Sequence, residues 1–384
     1  MPSATLEAEW SLLLAACSEV SRKEQIFHIR SLSRESIRWE VLFDLAERHG
    51  TLPLLHQAVV EVEDVRRKEL SSLKQRFQTN LHKTLLLSCE LIRILDHLSG
   101  LGLQAMPYKG LALAETIYGD IALRQSGDID LLIHPQDFPH IRDAVRDLGY
   151  MPHLDFSPAE ERAYLKSGYE CAFDGPAGPN LLEVQWAMQP RFYAIDFEMN
   201  CLFQRAITVP VAGRPMPTPA PEDLVLLLSA HAAKHVWGRL IWLCDIARIM
   251  ALPTLDWNWI GSQAQALGIV RIVRVTMVLA NRLLNAVMPS AAQTCLPEDP
   301  VTPALADEIQ THLATQSSYN VESVAYFRLM MRLRERPADR LRFLKRLAFT
   351  SGPSDWQAVH LPPPLFPIYR LVRLSRLAAR FVRT

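Results

Sequence analysis

Two aspartates, Asp128 and Asp130, are separated by one residue and precede an apolar run at 131–133. Residues i and i+2 of a β-strand point to the same face, so both carboxylates would lie on one side and Ile129 on the other. Carboxylate oxygens suit hard divalent cations such as Mg²⁺, which keeps several of its own waters. An Asp-x-Asp pair is common by itself, but Gly127 before it and the apolar run after it favour a metal site.

A third acidic residue, Glu183, lies within the apolar segment 181–186. In a strand, Leu182 and Val184 would face the core, while Glu183 and Gln185 would share the opposite face. A charge inside an apolar strand is costly unless it has a partner or a metal. We therefore predict Glu183 as the third carboxylate of the site. The alternative is a surface hairpin in which Glu183 faces water.

The segments around these acids predict a small α+β core. Short apolar runs bounded by turn residues or charges predict buried strands, and apolar residues at helical spacing predict helices. The expected order is a strand at 104–108, a helix at 111–118, a strand at 130–133, a helix at 135–148, and a hairpin of strands 164–173 and 181–186.

Helical patterns dominate the rest of the chain, so we expect a helix-rich α+β protein with a small mixed sheet. After a helical region at 1–98 and the core at 99–218, a C-terminal helical domain would occupy 219–350. Its expected helices are 221–237, 240–250, 257–287, 303–312 and 321–334. Residues 351–384 would form a proline-rich linker (351–367) and a basic terminal helix (369–384).

The composition favours a cytoplasmic globular protein. Hydrophobic residues make up 49% of the 384 residues, charged residues 21%, and the formal net charge is zero. The six cysteines form no Cys-x-x-Cys pair, which argues against a zinc cage or a disulfide framework. We see neither a signal peptide nor the roughly 18 apolar residues that a transmembrane helix requires.

The C-terminal end is strongly basic. Residues 328–384 contain thirteen Lys and Arg against three Asp and Glu. Arginines alternate with apolar residues in 369–384, which predicts an amphipathic helix able to bind an anionic partner such as a membrane surface or RNA. The alternative is a terminal helix that packs on the protein and exposes its charged face to solvent.

Two motifs together resemble a known family. Tyr108-Lys-Gly-Leu-Ala-Leu-Ala-Glu-Thr-Ile-Tyr118 is followed by Leu123-Arg-Gln-Ser-Gly-Asp-Ile-Asp-Leu-Leu-Ile133. This pattern is similar to the signature of the bacterial uncharacterised nucleotidyltransferases, within the DNA polymerase β-like superfamily. The similarity covers roughly residues 30–260. It implies a nucleotidyltransferase core in which Asp128, Asp130 and Glu183 bind Mg²⁺ or Mn²⁺ and carry the catalysis.

The resemblance also implies nucleotide-binding residues. The turn Lys109-Gly110 would hold the triphosphate through backbone amides at a helix N-terminus, and Gly127 would belong to the same site. The small hydroxyl residue usual after the superfamily's glycine is replaced by Leu111. Phosphate binding would therefore depend more on Lys109 and Arg124. The alternative for Arg124 is a salt bridge to Asp128 or Asp120 that only shapes the loop.

Further residues would line the cleft if the resemblance holds. Gln185 stands where the family commonly has histidine, and Lys234, His235 and Asp245 belong to segments like the family's helical half. These four residues would contact substrate or have only packing roles. His231 and His235 also have the i, i+4 spacing of a zinc-binding pair, but no glutamate follows the first histidine and no third ligand has an obvious spacing.

Two functions fit these observations. The first is an enzyme that transfers a nucleoside monophosphate from an NTP to an acceptor hydroxyl and releases pyrophosphate. The acceptor, whether small molecule, peptide or RNA, cannot be read from the residues. The second is a nucleotide-sensing or scaffold protein that keeps the fold without turnover, which the altered glycine turn and Gln185 would permit.

Overall fold

Helices surround a small mixed β-sheet in the computed structural model, which describes residues 6–154, 156–176, 178–315 and 323–382. The predicted helix-rich α+β fold is confirmed. The first five helices are α1 (Glu7–Ala16), α2 (Arg22–Leu32), α3 (Trp39–His49), α4 (Leu52–Val59) and α5 (Arg67–Gly100).

Helix α5 joins two cores. Leu73, in its N-terminal half, packs in the main helical core. Leu87, Leu91 and Ile94, in its C-terminal half, pack against the sheet. These three apolar side chains recur at three- and four-residue spacing, which places them on one helical face. The sheet is therefore fixed to the N-terminal helices by one continuous 34-residue helix.

The sheet region follows the predicted order of elements, with additions. It comprises β1 (Ala105–Pro107), α6 (Gly110–Leu113), β2 (Ile129–Ile133), α7 (Phe138–Asp147), β3 (Met151–Pro152), α8 (Pro158–Ser167), β4 (Glu170–Gly175), β5 (Gly178–Gln185), α9 (Met199–Gln204), β6 (Ile207–Val211) and β7 (Arg214–Thr218). Helix α6 continues as a π-helical segment at Ala114–Tyr118.

Five strands form one sheet in the order β1-β2-β5-β4-β3, and β6 and β7 form a separate hairpin. Strands β2 and β5 are parallel, while the other neighbouring pairs are antiparallel. The register pairs Asp130 with Glu183 on the two parallel strands, and Glu170 with Gln185 across the β4–β5 hairpin. This register brings polar residues of three strands together.

The predicted strand 164–173 begins too early. Residues Pro158–Ser167 form helix α8, and strand β4 starts at Glu170. A capping box between Ser157 and Glu160 starts the helix, and proline is favoured in a first helical turn. This local signal outweighs the apolar residues that indicated a strand. The sequence analysis also missed α9 and the β6–β7 hairpin.

The C-terminal half consists of helices α10 (Pro221–Lys234), α11 (Leu240–Met250), α12 (Trp257–Leu267), α13 (Val270–Leu284), α14 (Ser290–Cys295), α15 (Thr302–Thr315), α16 (Val324–Arg332), α17 (Pro337–Phe349), α18 (Pro353–Ala358) and α19 (Tyr369–Val382). The predicted helix 257–287 is divided at Gly268, whose φ of +69° ends α12. The predicted helix 221–237 ends at Lys234, because Val236 and Trp237 adopt positive φ. Residues 321 and 322 of another predicted helix lie outside the described residues.

The segment 351–367 is less irregular than expected. It contains the short helix α18 and most of a 3-10 segment, Pro363–Ile368. Helix α19 packs here through two of its arginines: Arg373 and Arg376 both pair with Asp355, a carboxylate that is almost fully buried. Residues 383 and 384 of the predicted terminal helix lie outside the described residues.

One large apolar core is shared by the N-terminal and C-terminal helices. Leu42 and Leu55 belong to the same buried cluster as Leu243, Val273 and Leu329. None of the helices in the described ranges is both long and apolar enough to span a bilayer. The domain boundaries remain predictions.

Candidate active site

A cavity of about 680 Å³ opens between the sheet and helices α10 and α11. We call it the carboxylate cavity. It is lined by all the predicted site residues except one: Lys109, Gly110, Arg124, Gly127, Asp128, Asp130, Glu183, Gln185, Lys234 and His235. The exception, Asp245, is fully buried and contacts Arg124. The fold thus brings together residues that are up to 126 positions apart in the chain.

The three predicted carboxylates lie on two adjacent strands. Asp130 on β2 is the register partner of Glu183 on the parallel strand β5. Asp128 precedes β2 by one residue and also faces the cavity. Because side chains alternate along a strand, Asp128, Asp130 and Glu183 share one face of the sheet. The surface hairpin proposed as the alternative for Glu183 is therefore not what this fold contains.

The carboxylates repel one another. Burial, together with the Asp130 carboxylate, raises the pKa of Asp128 to about 6. Burial, then Asp130 and Glu170, raise the pKa of Glu183 to about 8. A bound cation would favour the ionised form of both carboxyl groups and so lower these pKa values.

Two side chains partly offset the repulsion. The ammonium nitrogen of Lys109 lies 2.6 Å from a carboxylate oxygen of Asp130. The amide nitrogen of Gln185 donates to Glu183 at 3.0 Å and to Asp130 and Glu170 at 3.2 Å each. Its amide oxygen accepts a 2.7 Å hydrogen bond from Tyr108. Gln185 therefore connects three carboxylates.

Gly110 is required by the geometry of the turn that precedes helix α6. Its φ is +51°, and an added Cβ would lie 3.3 Å from the hydroxyl oxygen of Ser126. Glycine adopts positive φ without a steric penalty. Ser126 is buried and lines the carboxylate cavity, and its hydroxyl has no hydrogen-bond partner among the described residues. A hydroxyl therefore lies beside the turn, although Leu111 follows the glycine.

Arg124 forms a buried ion pair. Its guanidinium donates to both carboxylate oxygens of Asp245, at 2.9 and 2.8 Å, and the Tyr118 hydroxyl donates to the same carboxylate at 2.8 Å. The expected salt bridge thus has a different partner from Asp120 or Asp128. It joins the loop before β2 to helix α11. Phosphate contact by Arg124 remains a prediction.

Lys234, the last residue of helix α10, and His235 also line the cavity. The Lys234 ammonium donates to the Tyr169 hydroxyl at 3.0 Å, and burial lowers its pKa to about 8 against the opposing effect of Glu170. The His235 ring lies 4.8 Å from His231 and 5.4 Å from Trp242, measured between ring centroids. These histidines thus belong to an aromatic cluster at the cavity wall.

Comparison with known proteins agrees with this geometry. The sequence profile of the uncharacterised nucleotidyltransferase family matches residues 35–285, well over half of the chain. The chain belongs to this family. No curated protein and no solved structure matches it significantly.

The residues of this nucleotidyltransferase fit a divalent cation in their chemistry. Asp128, Asp130 and Glu183 offer hard oxygen ligands on one face of the sheet, and two of them have raised pKa values. In the present side-chain positions, no three Asp, Glu, His or Cys residues in the described part of the chain are arranged to coordinate a metal ion. Lys109 instead neutralises Asp130. Metal binding would therefore require these side chains to change position.

The residues that line the carboxylate cavity but were not assigned to the site from the sequence include Ser126, Tyr169 and Glu170. Tyr169 and Glu170 fell inside the mispredicted strand 164–173. Once β4 is paired with β5, Glu170 lies opposite Gln185. The register of the hairpin was the only signal that could have located Glu170, because its charge alone indicates a surface position.

Proposed function

We propose that this member of the nucleotidyltransferase family transfers a nucleoside monophosphate from an NTP to an acceptor hydroxyl, with Mg²⁺ or Mn²⁺ as cofactor. The observation that carries the proposal is the pairing of Asp130 with Glu183 on adjacent parallel strands, with Asp128 beside them in one cavity. Family membership supports nucleotidyl transfer in general. The metal, the acceptor and the pyrophosphate product belong to the proposal.

Asp128, Asp130 and Glu183 would hold the cation. When bound, it would neutralise charge on the phosphate oxygens and make the acceptor hydroxyl more acidic. A cation bound to Asp130 would replace the positive charge of Lys109 at this carboxylate. Lys109 would then move from Asp130 to a phosphate oxygen. Gln185 would keep the carboxylates oriented through its amide hydrogens. Gly110 would allow phosphate oxygens to approach the backbone.

In the transfer, the acceptor oxygen forms a bond to the α-phosphorus of the NTP. The bond from that phosphorus to the oxygen bridging the β-phosphate breaks, and pyrophosphate leaves with the electron pair. The proton of the acceptor hydroxyl passes to a carboxylate oxygen of Glu183.

The acceptor side of the cavity is less defined. Lys234 and His235 line the cavity at the end of helix α10, where they would contact the acceptor. A small molecule, a peptide or an RNA end would each satisfy the chemistry. Binding of an anionic partner by the basic helix α19 is a separate proposal. Arg373 and Arg376 are less available for such binding, because both pair with Asp355.

The proposal is tested with Asp128→Asn and Asp130→Asn. Each change removes one negative charge at nearly constant volume, so we expect pyrophosphate release to fall by at least about a hundredfold. The assay follows release from each of the four NTPs in the presence of cell extract as a source of acceptor. Asp64→Asn, at a distant ion pair on the N-terminal helices, is the matched control. Wild-type rates in Asp128→Asn would refute the assignment.

The sensor or scaffold function remains an alternative. Leu111 after the glycine of the turn, and Gln185 where the family commonly has histidine, motivate it. Isothermal titration with each NTP and Mg²⁺ distinguishes the two functions. Mg²⁺-dependent NTP binding without pyrophosphate release, across a broad set of acceptors, would support the sensor and contradict turnover.

A further inference from the structure

A second cavity of about 350 Å³ adjoins the carboxylate cavity. Both are lined by Tyr169, Lys234 and His235. We call the second cavity the ring chamber, because aromatic side chains form much of its wall: Tyr164, Tyr169, Phe192, Tyr193 and Phe327. Its volume lies at the lower end of the range for small-ligand pockets. The chamber therefore suits a small molecule with one or two rings.

The aromatic walls of the ring chamber are partly accessible. Tyr164, Phe192 and Phe327 are half-buried, whereas most large aromatic residues of the cores are fully buried. Phe192 stacks on Tyr193 with ring centroids 4.6 Å apart, which holds both rings in place. A planar ring that enters such a chamber gains offset-stacked or edge-to-face contacts in addition to the burial of apolar area.

Hydrogen bonds connect this chamber to the carboxylates. Lys234 donates to the hydroxyl of Tyr169, and that hydroxyl donates to Glu170. Glu170 in turn accepts from Gln185, which also donates to Glu183. Tyr169, Lys234 and His235 therefore lie at the boundary between the chamber and the carboxylate cavity. A hydroxyl on a short arm could extend past this boundary.

Part of the chamber wall comes from outside the family match. The match ends at residue 285, whereas Phe327, residues 350–354 and Arg373 contribute from the C-terminal part of the chain. Arg373 also lies over the Phe192 ring at 5.8 Å. The carboxylate cavity, by contrast, is lined only by residues up to Trp242. The chamber therefore combines the matched core with a segment that lies outside the family match.

We propose that the ring chamber is the acceptor site, and that the acceptor is a small alcohol or phenol carrying a planar aromatic ring. The ring would bind among Phe192, Phe327 and Tyr164, with its hydroxyl directed past Tyr169 towards Glu183. The role as acceptor site rests on the proposed nucleotidyl transfer, whereas binding of the ring does not. The C-terminal segment selects the acceptor through Phe327.

The test measures ring binding separately from NTP binding. Saturation-transfer NMR compares 2-phenylethanol with 2-cyclohexylethanol, which has a similar size without a planar ring, and with a methyl glucoside. We expect saturable binding of 2-phenylethanol, about threefold to tenfold tighter than that of the cyclohexyl compound, and none of the glucoside. Equal binding of the two alcohols, or binding of the glucoside alone, would overturn the aromatic assignment.

Two variants test whether 2-phenylethanol binds in the ring chamber. Phe327→Leu keeps an apolar side chain but removes the ring, so it should fold and weaken 2-phenylethanol binding about threefold to tenfold. Phe349→Ala, on the exposed surface of α17, is the control and should bind as the wild type does. Equal binding by the two variants would refute the chamber. Failure of the wild type to bind any NTP by titration would instead contradict the proposed function and leave ring binding unaffected.

Discussion

Glu183→Gln should make the metal-free protein more stable at alkaline pH. Between its unfolded pKa of 4.5 and its folded pKa of about 8, Glu183 binds more protons in the folded state than in the unfolded state. The free energy of unfolding therefore falls as the pH rises through this window. Glutamine carries no charge, and its amide oxygen can still accept the hydrogen bond from Gln185.

The magnitude follows from the pKa difference. At about 1.4 kcal/mol per pKa unit, a rise from 4.5 to about 8 sets an upper limit of about 5 kcal/mol. Side chains and water relax around the charge, and Asp128 and Asp130 share the repulsion, so we expect a gain of about 1 to 3 kcal/mol. With an unfolding entropy of about 2 cal/mol/K per residue, this corresponds to about 1 to 4 °C in Tm.

The assay is thermal unfolding of wild type and variant at pH 5.5 and pH 8.5, with and without Mg²⁺. We expect Glu183→Gln to have a higher Tm than the wild type at pH 8.5, and the two proteins to differ little at pH 5.5. Mg²⁺ should raise the wild-type Tm at pH 8.5 more than that of Glu183→Gln, because it binds the folded state. Glu63→Gln, at an exposed position, is the control. The same Tm difference at both pH values would refute the reasoning.

Two further predictions concern residues that support the carboxylate cavity. Asp245→Ala leaves the Arg124 guanidinium buried without its partner, so it should lower the free energy of unfolding by about 3 to 5 kcal/mol, measured with denaturant. Adding Arg124→Met removes the unpaired charge and should restore part of that stability. Gly110→Ala should weaken NTP binding in titrations, because its Cβ would press on Ser126. Gly119→Ala has similar positive φ but open space around it, so it should lose about 1 kcal/mol of stability and retain NTP binding.

Local patterns were enough to predict the carboxylates. Asp128 and Asp130 were found because alternation along a strand needs only neighbouring residues. Glu183 was found because a charge in an apolar strand requires an explanation. Both arguments use segments of a few residues and do not depend on the rest of the fold.

Boundaries were predicted less well where two local signals competed. At 164–173, apolar and aromatic residues indicated a strand, but the capping box at Ser157 makes the first part helical. At Gly268, one residue in the left-handed conformation divides what periodicity predicted as a single helix. Periodicity identifies the faces of an element more reliably than its ends.

The sequence by itself determined the helix-rich α+β class, the family, and the face on which Asp128, Asp130 and Glu183 lie, because these depend on periodicity and short motifs. Only the tertiary structure decided which partner each charged side chain has. Arg124 pairs with Asp245, 121 positions away, and Lys109 with Asp130, because strands and helices distant in the chain pack together. The ring chamber likewise exists only where α16, α19 and residues 350–354 meet the core.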